Sequence, residues 1–229
     1  RSSAASDVYK RQGLKRLEEG RDMDEWYLRE WAGVDPANGS PLWYTTDENG
    51  KRTTTDSYNK AARVYCGSAA PKFTGGWMNS FSYKGFTLTA NFDFVYGNLL
   101  YNQSRELLDS DGAYADYNSM KLKSGWKRWE KEGDIATHPK AINGGNKNSN
   151  KSSSRYLEKG NYFSLRNLSL GYSIPEKLCG KLGLQRVNVS CSADNLFTLT
   201  PFSGVSPQLS DSSTDGYAAV SYTHLTLPT

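Results

Sequence analysis

Residues that build metal and redox sites are scarce in this chain of 229 residues. It contains three Cys, two His and three Met. Cys66, Cys179 and Cys191 form no CxxC spacing, so the sequence indicates neither a zinc site nor a disulfide framework. His138 and His224 are the only histidines, and His138 has no His or Cys partner nearby. We therefore predict no bound metal and no cofactor, with His138 solvated in a loop.

Long hydrophobic runs are also missing. No stretch approaches the roughly 18 apolar residues that a membrane-spanning helix needs, and the mean hydropathy is −0.70. The sequence therefore predicts no membrane-spanning helix within these residues. It does not exclude transmembrane strands, because these place only alternate side chains in lipid and so keep the hydropathy low.

Neither sign of charge dominates, since the chain has 28 Lys and Arg residues and 24 Asp and Glu residues. The densest basic stretch, 121–133, is interrupted by acidic residues and is interpreted as a solvated loop face, not a nucleic-acid site. Asp109 and Asp111 could be imagined as a catalytic carboxylate pair, but we expect them to be solvated loop acids. The segment 109–112 lacks the later ligands of a calcium-binding EF-hand loop. We predict no catalytic residues.

The sequence does have segments in which apolar and polar residues strictly alternate. The segment 86–96 has the sequence FTLTANFDFVY. Every second residue from Phe86 to Tyr96 is apolar, and the residues between them are polar except Val95. This pattern is typical of a strand with one apolar face. The preceding segment alternates in the same way up to Tyr83, and Lys84-Gly85 predicts a tight turn that pairs the two strands as an antiparallel hairpin.

Two further segments predict strands of the same kind. In 155–175 the apolar parity changes near Asn167, which indicates a β-bulge, and 186–197 returns to strict alternation. Towards the start of the chain, turn residues predict a hairpin within 26–44 and another closed by Asn49-Gly50. A short helix within 116–132 is also considered, although Gly125 weakens it.

The lengths of strands and connections favour a transmembrane barrel over a soluble sheet. The segment 86–96 has eleven residues, which matches the roughly 9 to 11 that cross a bilayer at a tilt. Short links fall at one end of the strands and longer ones at the other, and the longest runs from about 98 to 154. Outer-membrane barrels have this asymmetry, with long loops outside the cell. The alternate polar side chains would then line an aqueous lumen.

The two ends differ from the rest of the chain. Residues 1–12 and 219–229 resemble translated adapter or vector sequence, and we expect both to be artefacts. The natural chain would then extend beyond both ends.

Several blocks, in this order, resemble one family. They are AGVDPANG and PLWY, GSAAPKFTGGWMNSFSYKGF, SRYLEKGNYFSLRNLSLGY and SADNLFTLTPFSGVSP. Together they are similar to the C-terminal barrel of SusC/RagA-type TonB-dependent outer-membrane transporters, and the similarity covers about 13–218. The fold class expected is therefore all-β, the C-terminal portion of a large antiparallel transmembrane β-barrel with long external loops, incomplete as written.

The resemblance implies energised import of oligosaccharides, glycans or peptides across the outer membrane of a Gram-negative bacterium, without bond chemistry. The partners it implies are a SusD-like surface lipoprotein, the TonB complex acting through a plug that these residues do not contain, the cargo, and outer-membrane lipid. No nucleic acid is expected.

Loop aromatics are the one candidate for ligand binding. Trp126 and Trp129, with Tyr114 and Tyr117 upstream, could stack on a cargo sugar, since aromatic faces bind sugar rings. The alternative, which we favour, is that the two Trp residues hold a short helix against the neighbouring loop. The sequence leaves two other functions open, a soluble carbohydrate-binding β-sandwich and a secreted glycan-active enzyme.

Overall fold

The computed structural model describes residues 11–114, 116–117, 120–181, 183, 185–204, 206–208 and 217–218. Both expected artefacts therefore lie almost wholly outside the described residues. The strands are β1 (Arg11–Gln12), β2 (Lys15–Arg16), β3 (Glu25–Arg29), β4 (Trp31–Val34), β5 (Pro41–Thr46), β6 (Arg52–Thr55), β7 (Arg63–Ser68), β8 (Phe73–Tyr83), β9 (Phe86–Tyr96), β10 (Leu99–Asn102), β11 (Leu157–Lys159), β12 (Tyr162–Ser173), β13 (Asn188–Leu199) and β14 (Tyr217–Ala218). The helices are α1 (Gln103–Leu108), a 3-10 turn (Ser154–Tyr156) and α2 (Glu176–Lys181).

The chain divides into two compact units. One, the wall unit, comprises residues 71–98 and 160–201. The other, the loop unit, comprises the described residues up to 70, those from 99 to 159, and those from 202 onwards.

The wall unit is one antiparallel sheet with the strand order β13-β12-β9-β8. The predicted hairpin is confirmed, because Tyr83 pairs with Phe86 across a two-residue turn. Lys84 and Gly85 both have positive φ, 47° and 87°, as a type I′ turn requires. This turn matches the right-handed twist of the strands and so fixes their register.

The predicted β-bulge is also confirmed. The register of β12 shifts between Leu165 and Asn167 against both of its neighbours. Arg166, the extra residue, places its Nε atom 2.8 Å from Asp93 Oδ1 and its Nη2 atom 3.1 Å from Asp93 Oδ2. The bulge changes the parity of β12, so that apolar residues before and after it stay on the same face of the sheet.

The register gives the sheet two chemically distinct faces. Residues that pair across all four strands share a face, because side chains alternate along each strand. The apolar face carries Phe73, Trp77, Phe81, Tyr83, Phe86, Leu88, Ala90, Phe92, Phe94, Tyr96, Phe163, Leu165, Leu168, Leu170, Tyr172, Val189, Cys191, Ala193, Phe197 and Leu199, with Asn79 as its one amide. The polar face carries Thr74, Ser80, Ser82, Thr87, Thr89, Asn91, Asp93, Ser164, Asn167, Ser169, Ser173, Asn188, Ser190, Ser192, Asp194 and Thr198, and also Met78, Val95 and Tyr162.

Most side chains of the apolar face are exposed, Trp77 by 62% and Tyr83 by 70%. Aromatic pairs lie at both of its ends: the ring centroids of Phe86 and Tyr172 are 4.3 Å apart at the turn end, and those of Phe73 and Phe94 are 5.6 Å apart at the other. A soluble protein rarely exposes an apolar surface of this extent. The sheet therefore needs an apolar partner along its whole length.

The loop unit is built from small sheets around an aromatic core. Its sheet orders are β1-β2-β3-β7, β4-β5-β6 and β11-β10-β14. The core consists of Trp26, Leu28, Tyr101 and Tyr156, which come from β3, β10 and the 3-10 turn. Both hairpins predicted near the start of the chain are confirmed, as β4 pairs with β5 and β5 with β6.

The prediction of a helix within 116–132 is wrong for the described part of that segment, which contains turns and a single bridge. The helix of this region is α1, at Gln103–Leu108. Asn102 begins it, because its side-chain Oδ1 accepts a hydrogen bond from the N–H of Arg105. After α1, the described residues between 109 and 153 form few regular elements but many turn hydrogen bonds, so this part of the long loop is folded against itself.

Candidate functional site

The centre of the long loop is a buried cluster of charged residues. It joins α1, the 3-10 turn and the irregular segment between them, and we call it the ion cluster. Its members are Arg105, Asp109, Asp111, Arg128, His138 and Arg155. All but the half-buried Arg128 are at least nine-tenths buried.

Asp109 receives contacts from several cationic or donor groups. Its N–H caps the end of α1 by binding the carbonyl of Arg105. Its Oδ2 atom lies 2.8 Å from His138 Nε2 and 3.3 Å from the Nη2 atoms of both Arg105 and Arg155. Arg128 lies 3.4 Å from the other carboxylate oxygen.

Asp111, two residues after Asp109, is the second carboxylate of the ion cluster. Its carboxylate accepts hydrogen bonds from Arg155, from Arg128 Nη1 at 2.6 Å and from the Ser149 hydroxyl at 2.7 Å. Its backbone has a positive φ of 51°, and Gly112 follows with 89°. This sharp turn brings both carboxylates of the 109–111 segment to Arg128 and Arg155.

The electrostatics of the cluster keep Asp109 ionised. Burial by itself would raise the pKa of Asp109, since it removes water from the carboxylate. The hydrogen bond from His138 and the charge of Arg155 outweigh burial and hold the pKa of Asp109 well below its usual range. A carboxylate that stays ionised has no proton to donate as a general acid at neutral pH, and the oxygens of Asp109 are already occupied by cationic donors, so its contacts serve to fix the loop.

The expectations for three of these residues are therefore wrong. Asp109 and Asp111 were expected to be solvated, and each is 2% exposed. His138 was expected to be a solvated loop histidine, and it is also 2% exposed. The error has a physical cause: a carboxylate in a polar segment becomes buried only when several cations reach it, and those cations lie up to 46 positions away.

Trp129 and Trp126, the predicted ligand residues, both lie beside this cluster. Trp129 is buried, its indole N–H donates to the carbonyl of Pro36 at 2.9 Å, and its ring packs against Gly39. Trp126 is partly exposed, with the guanidinium of Arg105 4.3 Å from its ring centroid. The ring of His138 lies 5.0 Å from the Trp126 ring. Both indoles are thus held in place by packing.

Tyr114 and Tyr117 line a different feature, an open cleft of about 300 Å³ that we call the tyrosine cleft. Their rings meet edge to face with centroids 5.7 Å apart. The other lining residues are Leu107, Leu108, Ser110, Asp111, Gly112, Met120, Leu122, Arg128 and Ala141. Neither Trp126 nor Trp129 lines it.

Gly112 sets the floor of the tyrosine cleft, which leads to a prediction. A Cβ atom there would lie 2.4 Å from the carbonyl oxygen of Ile142, on a backbone with φ of +89°. Gly112→Ala is expected to loosen the loop by about 1 to 3 kcal/mol through strain alone, with the clash in addition. Limited proteolysis of the full-length protein measures this as faster cleavage between 109 and 153.

Gly133→Ala is the matched control. Gly133 has almost the same φ, +85°, but open space around its Cβ position. The variant should show only the conformational strain. Equal cleavage rates for the two variants would contradict the role of the close approach at Gly112.

Other reactive groups offer little chemistry. Burial raises the pKa of the Cys66 thiol to about 11, so it stays protonated and weakly nucleophilic at neutral pH. Among the residues that the structure describes, no group of three His, Cys, Asp or Glu side chains is placed to hold a metal ion. Within the same residues, no helix is both long and apolar enough to cross a membrane.

Comparisons with known proteins identify relatives. No family model matches the chain. It is 30% identical over 210 residues to TonB-dependent receptor P3 of Formosa agariphila, which covers 84% of this chain and 19% of that protein. It is 30% identical over 150 residues to TonB-dependent receptor P39 of the same organism, covering 64% of this chain and 14% of the relative. The chain thus spans less than a fifth of the length of these curated relatives.

Solved structures agree with the sequence relatives. The RagAB peptide transporter superposes with a TM-score of 0.71 at 27% identity, over 87% of this chain and 22% of the matched chain. The RagAB peptide importer in its closed-closed state gives 0.70 at 28% identity, over 89% and 22%. The predicted resemblance and the predicted fold class are both confirmed. The chain belongs to the SusC/RagA-type TonB-dependent transporters, and its wall unit is part of their β-barrel.

Proposed function

We propose that the chain forms part of the wall and the external loops of an importer in the outer membrane of a Gram-negative bacterium. The observation that carries this proposal is the two-faced sheet of the wall unit. Strands of eleven or twelve residues, tilted at about 45°, span the roughly 25 Å apolar band of an outer-membrane barrel. The exposed apolar face contacts lipid, and the polar face lines the lumen.

The relatives support the transport role. Two are named TonB-dependent receptors and two solved structures are of a peptide transporter or importer. We propose that this protein likewise imports a peptide or an oligosaccharide, energised by the TonB complex through a plug and assisted by a SusD-like surface lipoprotein. Transport of this kind breaks no bond of the cargo. The long loop of about 98–154 lies on the outer side in this proposal.

Fractionation of the full-length parent tests the proposal. The protein should be found in the outer-membrane fraction, require detergent for extraction, and migrate differently on a gel before and after heating. If the protein is instead a soluble carbohydrate-binding β-sandwich, it should purify in plain buffer without detergent.

Flanking genomic DNA tests a related proposal, that residues 13–218 are native while residues 1–12 and 219–229 are artefacts. An open reading frame that continues with different residues at both ends would support it, and one that encodes the same termini would contradict it.

The ligand role of Trp126 and Trp129 remains a proposal, and Trp126 is the better test because it is partly exposed. If Trp126 contacts cargo, Trp126→Ala in the full-length parent should weaken cargo uptake or affinity by up to about tenfold, since an aromatic contact contributes about 0.5 to 1.5 kcal/mol. The control is Trp126→Phe, which keeps an aromatic face. Unchanged uptake with Trp126→Ala would leave packing as the function of this residue.

A further inference from the structure

We propose that Arg29 and Arg63 form a binding site for a phosphate group on the outward face of the sheet β1-β2-β3-β7. The site is independent of the proposed import function, because all the contacts that define it lie within residues 11–70 of the loop unit. It depends on three observations: the position of the two arginines, the lack of a carboxylate beside them, and the pairing of the other charges on this face.

The two arginines face each other across neighbouring strands. Arg29 of β3 and Arg63 of β7 are register partners in an antiparallel pair. Leu28, the neighbour of Arg29, belongs to the aromatic core, so both arginines project from the opposite face, because side chains alternate along a strand. Like charges directly opposite each other destabilise a strand pair. The pair therefore costs stability unless an anion neutralises it.

Neither arginine has a carboxylate partner. Among the described residues, no Asp or Glu forms an ion pair with Arg29 or Arg63. The guanidinium of Arg29 lies 4.1 Å from the ring centroid of Tyr58, a contact that orients the cation without neutralising it. Arg29 Nε is shielded from solvent and has no hydrogen-bond partner in the same part of the chain. A shielded donor on an unneutralised cation is unfavourable, and an anionic oxygen would satisfy it.

The other charges beside these arginines are already paired. Arg16 Nε lies 3.9 Å from Glu18 Oε2, and Arg21 Nη1 lies 3.4 Å from Glu25 Oε2. Arg29 and Arg63 thus contribute two positive charges that this face does not neutralise. A single carboxylate would balance one of them, whereas a phosphate group carries about 1.5 to 2 negative charges at neutral pH.

Guanidinium groups also suit phosphate in geometry. Each presents a planar fork of N–H donors that matches two oxygens of a phosphate group. Two arginines from neighbouring strands can therefore hold different oxygens of one phosphate. The structure thus provides both the charge and the donor type that this ligand requires.

The tyrosines next to the arginines support the site but do not offer a bare stacking surface. Tyr27 and Tyr65 are the adjacent register partners, with ring centroids 5.0 Å apart. The guanidinium of Arg16 lies 5.1 Å from the Tyr27 ring, and that of Arg21 lies 3.9 Å from the Tyr65 ring. Each ring thus contacts a cation and the other ring. These contacts fix the face in advance, which lowers the entropic cost of binding.

Calorimetric titration of the full-length, detergent-solubilised parent with inorganic phosphate tests the inference. At about pH 8 phosphate is mainly a dianion, and sodium chloride keeps the ionic strength constant. Phosphate should bind saturably, and acetate, with one charge, should bind about tenfold or more weakly. Arg29→Gln and Arg63→Gln should each weaken phosphate binding by about tenfold or more, because each removes a charge-assisted contact.

Arg52→Gln is the matched control. The guanidinium of Arg52 also lies on a tyrosine ring, 3.7 Å from the centroid of Tyr44, but it forms an ion pair with Glu30 at 2.8 Å. This variant should bind phosphate as the parent does. A second measurement needs no ligand: in phosphate-free buffer Arg63→Gln should resist limited proteolysis at least as well as the parent, because it removes the facing like charge.

The source of the phosphate group is distinguished by adding lipid A, a phosphate-bearing lipid, in the same detergent. If lipid A binds about tenfold or more tightly than inorganic phosphate, and Arg63→Gln removes that binding, the site holds a membrane lipid. If lipid A binds no more tightly than inorganic phosphate, the site takes a soluble phosphate compound. Both results support a phosphate site at the two arginines.

Three results would overturn the inference. The first is equal phosphate affinity in the parent and in Arg63→Gln, and the second is equal binding of phosphate and acetate at the same ionic strength. The third is no phosphate binding by the parent together with faster proteolysis of Arg63→Gln, which would mean that another segment of the parent already neutralises the arginines. Absence of the parent from the outer membrane would overturn the proposed import function and leave this site unaffected.

Discussion

Replacing Asp109 by Asn is expected to open the long loop in the full-length parent. The substitution would remove one carboxylate from a buried site, in which Arg105 would keep its ion pair with Glu158 and Arg155 its ion pair with Asp111. Loss of one partner of a buried ion pair costs about 3 to 5 kcal/mol, and we expect the lower end of this range here because both arginines keep another carboxylate. We expect cleavage between 109 and 153 by a nonspecific protease to rise about a hundredfold or more, since cleavage follows the population of the open form.

The control for this prediction is an exposed ion pair of the same loop unit. Arg52 Nη2 lies 2.8 Å from Glu30 Oε1, and both side chains are more than a third exposed. Glu30→Gln should change stability by less than about 1 kcal/mol, because water screens the charges. If Asp109→Asn and Glu30→Gln are cleaved at the same rate, the ion cluster does not hold the loop together.

A single charge on the apolar face of β9 is expected to prevent assembly of the barrel. Ala90 is the fifth of the eleven residues of this strand, and it lies on the apolar face with Phe92 and Leu88. An Arg on the lipid face near the middle of the bilayer costs about 2 to 4 kcal/mol. Ala90→Arg should therefore reduce the heat-modifiable, folded form of the parent in the outer membrane by tenfold or more.

Thr89 supplies the matched position, because it is the neighbouring residue on the opposite face. Thr89→Arg introduces the same side chain at nearly the same depth, but on the side that the proposal assigns to the lumen. It should assemble close to the normal level. Equal loss in both variants would mean that the two faces of the sheet do not contact different solvents.

The elements that the sequence predicts correctly are those encoded by near neighbours. The β8–β9 hairpin follows from alternation on both sides of Lys84-Gly85, and the positive φ values at that turn are a property of two adjacent residues. The bulge near Asn167 likewise follows from a parity change within one strand. In each case the period of two residues carries the information, because a shift by one residue would expose every side chain to the wrong solvent.

The ion cluster could not be predicted in this way. Its hydrogen bonds join Asp111 to Arg128 and Arg155, which lie 17 and 44 positions further along the chain. No periodicity links such residues, so the carboxylates alone look like solvated loop acids. One local signal was present, because Arg105 and Asp109 are spaced i, i+4 at α1. Asn102 is also a favourable N-cap residue immediately before that helix.

The tyrosine cleft is partly predictable from near neighbours and partly built by residues that are distant in the chain. Tyr114 and Tyr117 are recognisable from the sequence as loop aromatics, but their partners are not. Arg128 and Ala141 reach the cleft only after the chain has turned back on itself. The sequence therefore indicates the aromatic residues of the cleft, while its shape and polarity depend on long-range packing.

Solvent accessibility along β9 tests the central claim most directly. Spin labels attached one at a time to Cys substituted at each position from 86 to 96, in the full-length parent with its native cysteines replaced, would report contact with oxygen in lipid or with a water-soluble nickel complex. We predict a period of two residues: Phe86, Leu88, Ala90, Phe92, Phe94 and Tyr96 accessible to oxygen, and Thr87, Thr89, Asn91 and Asp93 accessible to nickel. Accessibility to nickel at every position, with no alternation, would contradict the assignment of one face to lipid and the other to the lumen.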